Sequence, residues 1–173
     1  MKNKTLFWIS LAFTLVLFVS ISLIDESLKI NDAANGIVSF ELAKTLNQSE
    51  YIIQSWEAAD VMIFAALSLG IDYLFLIAYG SFFALAVLLL AEKLPSGFLK
   101  KTAKIMAFLI LLAALLDGVE NFGLIQLLID TPTQSMVSLA FYCASLKFGL
   151  LGIGVVYLLA GITTLGLKKR AVK

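Results

Sequence analysis

The chain has 173 residues, 61% of them hydrophobic and 14% charged, with a formal net charge of +1. One small soluble core cannot absorb that apolar content, so residues 1–173 read as a single membrane domain. The near-zero charge and the lack of a basic patch leave no electrostatic footprint for nucleic acid. Histidine is absent, which removes the usual haem ligand, the commonest zinc ligand and the commonest general base. The one cysteine, Cys143, lies in an apolar run, where it reads as a packing residue and allows no internal disulfide. No phosphate loop, dinucleotide fingerprint or metal-spaced Cys/His pair is present, so the sequence implies no cofactor, no metal site and no catalytic residue.

A bilayer core takes about 20 apolar residues in helix, and four stretches reach that length. Lys2 and Lys4 lead into the first, about residues 6–24. Its apolar run exceeds the roughly 7–15 residues of a signal-peptide h-region and no Ala-x-Ala site follows, so a retained span fits better than a cleaved leader.

Residues 25–60 form the one sizeable connection. Asn31-Asp32 and Asn35-Gly36 read as turns. Between these turns and the second span, Ile37, Phe40 and Ala43 share a helical face with Glu41 and Lys44 beside it, which predicts a short amphipathic helix. A second short helix is expected from Ser49, carrying Tyr51, Ile52, Ile53 and Trp56. Tyr51 and Trp56 suit the headgroup level at one membrane face, as Trp8 does at the other. The segment is expected to cover the bundle mouth. Phe40, Glu41, Tyr51 and Trp56 are its candidate lid or partner-facing residues.

The second stretch covers about 61–91 and is broken only by Asp72. The third covers about 105–129 and holds Asp117, Glu120, Asn121 and Gln126. The fourth covers about 137–167 and holds Lys147. The second and fourth are long enough that they must tilt or protrude. The expected fold is therefore all-α, a transmembrane four-helix bundle with a short amphipathic helical segment in its first extracytoplasmic loop.

Lys2, Lys4, Lys93, Lys100, Lys101, Lys104, Lys168, Lys169, Arg170 and Lys173 flank one end of these spans. The connections at the other end carry Lys29 and Lys44 against Asp25, Glu26, Asp32, Glu41, Glu50, Glu57, Asp60 and Asp130. The positive-inside rule then places both termini and the Pro95–Gly97 turn in the cytoplasm, for a multi-pass protein of a cell's inner (plasma) membrane.

A charge at the centre of a membrane helix costs about 2.5–3.5 kcal/mol on insertion scales, so it rarely persists without a partner or a task. Asp72 lies 21 residues before Lys93, and Lys147 lies 21 before Lys168; a rise of about 1.5 Å per residue puts both roughly 30 Å from the inner boundary. Glu120 and Asp117 fall about 24 and 20 Å from Lys104 by the same rise, and tilt of the longer spans brings all four to one level in the outer half. Asp117, Glu120 and Asn121 share one face of the third span. Gly118 and Gly123 beside them, and Gly149, Gly152, Gly154 and Gly161 on the fourth span, allow close helix approach or leave room for a ligand. Tyr73, Tyr79, Tyr142 and Tyr157 need hydroxyl partners if they are buried. With three acids to one base, one of Asp72, Asp117 or Glu120 is expected to hold its proton unless water or a cation reaches the site.

Gly36-Ile37-Val38-Ser39-Phe40-Glu41-Leu42-Ala43, Leu69-Gly70-Ile71-Asp72-Tyr73-Leu74-Phe75-Leu76 and Leu116-Asp117-Gly118-Val119-Glu120-Asn121 resemble segments of a group of uncharacterised bacterial four-span membrane proteins. The resemblance covers most of the chain. It implies no activity and supplies no catalytic residue.

The leading expectation is a binding or passage site for a small cation, proton or polar ligand, built from Asp72, Asp117, Glu120, Asn121 and Lys147. Two alternatives stay open. One is a membrane interaction or assembly protein, with a protein partner or a second copy, whose charges only fix helix register. The other is a lipid-modifying enzyme using a carboxylate as acid or base, which the lack of histidine and of a nucleophile motif disfavours.

Overall fold

A computed structural model describes residues 2–31 and 33–171. Asp32 and Lys173, two of the charges used for orientation, lie outside the described residues. Helix α1 is Lys2–Asp25, α2 Ile37–Glu41, α3 Leu46–Ala58, α4 Met62–Lys93, α5 Phe98–Ile129 and α6 Gln134–Ala171, with a single 3-10 turn at Glu26–Leu28. Among the described residues four helices, α1, α4, α5 and α6, are long and apolar enough to cross a membrane. The protein is an all-α, multi-pass bundle.

Local chemistry sets the ends of these helices. Leu94 is extended (ψ 144°) ahead of Pro95, which stops α4. Asp130 is extended after α5. The Thr133 hydroxyl then accepts from Met136 N at 3.4 Å and opens α6. Helix α3 starts one turn earlier than the expected Ser49, because the Thr45 side chain caps it by accepting from Gln48 N at 3.3 Å. Helix α2 is shorter than its amphipathic pattern suggests and ends at Glu41.

In the bundle α4 packs against α5 and α5 against α6, while α1 lies along α4 and stands off from α6. Close approaches occur at small residues. A Cβ on Gly80 would meet the Ala114 Cβ at 2.9 Å, and one on Gly154 would meet Ile110 at 3.2 Å. Gly118 and Gly123 sit at ordinary contact distances instead, and Gly149 and Gly152 face open space. Two apolar cores result. One joins Ala84, Val87, Ala107, Ile110 and Tyr157 toward the terminus-bearing end; the other joins Leu28, Phe40, Ile52, Trp56, Leu69, Leu124 and Val137 at the opposite end.

That second core is the underside of a cover made by α2 and α3. Asp25 Oδ1 accepts from Ile37 N at 2.6 Å, and its carboxylate occupies the space where a side chain on Gly36 would stand. Gly36 has φ +58°, a conformation that suits glycine. Gln134 clamps the connection to α6, accepting from Leu46 N at 2.8 Å and donating to the Lys44 carbonyl at 3.0 Å. Trp56 does not sit at an exposed interfacial position as expected. It is 0% exposed, its Nε1 donates to the Leu28 carbonyl at 2.9 Å, and its ring stands edge-on to Phe40 at 5.3 Å. A buried indole N–H needs a partner, and this one finds it inside the cover. Tyr51 is exposed.

Candidate functional site

Between the two apolar cores lies a charged layer, and Lys147 is its centre. The side chain enters from α6 and is 5% exposed. Its Nζ donates to Asp117 Oδ1 at 2.8 Å, to Glu120 Oε1 at 3.0 Å and to Glu41 Oε2 at 3.4 Å. An ammonium has three hydrogens, so these bonds use all of them. The ammonium also stands 4.7 Å from the centre of the Phe148 ring.

The helical spacing of α5 delivers Asp117, Glu120 and Asn121 together, as expected from their positions. Asp117 is fully engaged: Oδ1 takes the lysine and Oδ2 accepts from the Tyr79 hydroxyl of α4 at 2.8 Å. Glu120 is 0% exposed, and its Oε2 lies 2.9 Å from the ammonium without a directed hydrogen bond. Asn121 donates from Nδ2 to Asp72 Oδ2 at 2.6 Å, which ties α5 to α4. Asp72 is half-buried and faces a cavity of about 550 Å³ between α1, α4 and α6. Tyr73 donates to the Gly118 carbonyl at 3.2 Å, and Tyr157 donates to the Leu99 carbonyl. Tyr142 is exposed.

Glu41 belongs to this layer, although sequence position places it in the cover as a lid or partner-facing residue. It is buried, and α2 carries it down onto Lys147, which Glu120 also contacts. Burial pushes its carboxyl above the ordinary range, against the pull of the Lys147 ammonium. Phe40 and Trp56, two further candidates for a partner face, are buried against each other and offer no surface. The signal for Glu41 was its spacing: it falls four residues after Ile37, on the face that α2 buries. Tyr79 was legible only as a hydroxyl that needs a partner if buried.

Three carboxyl groups thus surround one ammonium, and a fourth, Asp72, joins the layer through Asn121, an excess of three negative charges if all are ionised. The lysine has no hydrogen left to offer, so the layer is suited to positive charge and unsuited to an anion. Among the described residues no three Asp, Glu, His or Cys side chains converge with metal-binding geometry. Comparison with protein-family models, with curated proteins and with solved structures gives no match, so its own geometry is what defines the site.

Proposed function

We propose that this membrane protein binds, and passes on, a proton, a small cation or a polar ligand bearing positive charge at the layer of Glu41, Asp72, Asp117, Glu120, Asn121 and Lys147. The observation that supports this most is the charge imbalance of a layer holding four carboxyls and one lysine, whose three hydrogens are all taken by three of them. A structural ion pair needs one carboxylate, and three more within a membrane bundle are costly unless protons or a cation neutralise them.

The members divide the work. Lys147 and Asp117 form the fixed pair, with Tyr79 holding the second oxygen. Glu41 and Glu120 meet at the same ammonium, and a proton held by this pair supplies the partner that Glu120 Oε2 otherwise lacks. Asp72 is the exchanging group, because its one hydrogen bond comes from Asn121 and its carboxyl borders the cavity. The basic flanks of the terminus-bearing end support a reading in which that end is cytoplasmic, in an inner membrane, with the α2–α3 cover outside.

Infrared difference spectroscopy on the chain in lipid nanodiscs, with pH steps and with sodium or potassium added, tests this reading. A protonated-carboxyl band at neutral pH that Asp72→Asn or Glu120→Gln removes supports the proton form. Carboxylate bands that shift on adding cation support the cation form. Four ionised carboxylates with no response to either would overturn both.

A further inference from the structure

Thr14 of α1 singles out the cavity independently of the charges. It is 8% exposed, it lines the cavity, and its hydroxyl has no hydrogen-bond partner. A helical Ser or Thr ordinarily returns its hydroxyl to a carbonyl three or four residues back, as Ser10, Ser20, Thr163 and Thr164 do here. Thr14 leaves an unpaired buried hydroxyl in the wall of the space that Asp72 borders, and such a group is costly to leave unpaired.

We propose that the cavity between α1 and α6 binds an amphiphilic organic cation, an ammonium or similar centre on an aromatic or aliphatic body, which enters sideways from the bilayer. The proposal rests on reading the charged layer as a site for positive charge, and it names the ligand class. The sign of the charge follows from Asp72, which borders the cavity and has no cationic partner within salt-bridge distance among the described residues. The apolar body follows from the walls: Phe18, Phe75, Phe82, Phe83 and Phe148 line the same space, and aromatic faces attract a cation once water is excluded. The volume, about 550 Å³, falls within the roughly 300–1,000 Å³ range of small-molecule sites.

The route follows from α1, which stands off from α6. A second cavity of about 640 Å³ continues the gap toward Lys4 and Lys93, with Phe82 common to both. A ligand that partitions into the hydrocarbon first reaches the gap without crossing the α2–α3 cover. An anionic lipid is disfavoured, because Asp25, Glu41, Asp72 and Asp117 line this cavity against the one ammonium of Lys147.

The test is isothermal titration of tetraphenylphosphonium into the full chain in zwitterionic nanodiscs, with proton release followed in the same samples. Saturable binding that tightens as pH rises is expected, because the cation and the proton compete for Asp72. Asp72→Asn should weaken it by about tenfold or more, and Glu57→Gln on the exposed side of α3 should leave it unchanged. Thr14→Phe fills the cavity and leaves every charge in place, so it should abolish binding in a chain that still folds. Absence of saturable binding to the wild-type chain, or binding that both Asp72→Asn and Thr14→Phe leave intact, overturns the proposal. So does a lipid chain retained in native mass spectra that tetraphenylphosphonium does not displace. If the wild-type chain ignores tetraphenylphosphonium while its carboxyls still respond to protons or sodium in the infrared, the organic cation falls and the underlying site stands. If neither responds, both fall.

Discussion

Glu41 and Lys147 are 106 residues apart in sequence, and their charged atoms are 3.4 Å apart in the fold. The contact joins a short helix in the first connection to the middle of the last span. It ties the cover over the bundle to the charge layer inside it.

Removing the lysine should be the most damaging single change in the layer. Lys147→Met leaves four carboxyls with no counter-charge, and breaking a buried pair in this way costs about 3–5 kcal/mol. Adding Glu41→Gln to the same chain should return part of the loss, with a coupling of about 1–3 kcal/mol in a double-mutant cycle. Reversible unfolding of the detergent-purified variants measures both, and strictly additive losses would show that the pair is not coupled.

The Glu41 carboxyl, raised by burial above its ordinary value of 4.5, predicts a pH dependence of the cover. Between the ordinary value and the raised one, the folded state holds a proton that the unfolded state has released. Stability must therefore fall as pH rises through that window. Lys147, Asp117 and Glu120 face the same carboxyl and shape the transition. Amide exchange in residues 37–41 should accelerate from acid toward alkaline conditions, beyond the intrinsic rate, and Glu41→Gln should flatten the dependence.

Trp56→Phe keeps the ring against Phe40 but removes the donor to the Leu28 carbonyl. A buried carbonyl left unpaired costs about 1–3 kcal/mol. The loss should concentrate in the cover, so exchange in 26–58 should rise while exchange in α5 stays as it was. Uniform loosening of the whole chain would contradict a locally packed cover.

Two glycine substitutions should diverge in sign. Gly80→Ala drives a methyl into Ala114 and should cost about 1–3 kcal/mol by overpacking. Gly149→Ala has nothing within 4 Å and should stabilise α6 by about 0.5–1 kcal/mol through helix propensity. Thermal unfolding of the two variants side by side reads the difference directly.

Residue spacing carried much of the site. Asp117, Glu120 and Asn121 at positions three and four apart had to share a face, and equal distances from the basic flanks put Asp72 and Lys147 at one depth. The four apolar spans were equally plain. Glu41 was harder, because an acid in an amphipathic pattern reads as the edge of a solvated face until α2 is seen to press that edge inward. The stand-off of α1 was not legible at all. Its apolar residues are spread nearly evenly around the helix, so no strong apolar stripe indicates which neighbour it prefers. Trp56 misled for a related reason: a tryptophan near a membrane boundary suits headgroups and a buried carbonyl equally well.

The order in which the members of the charged layer appear along the chain bears on how the protein is made. Glu41, Asp72, Asp117 and Glu120 all precede Lys147. During synthesis, which proceeds from the N-terminus, the bilayer first receives helices that carry acids and lack their base. Only the last helix brings the base that completes them. A ribosome-released fragment ending before α6 should therefore be recognised as unfinished and degraded, and supplying α6 as a separate peptide should rescue it.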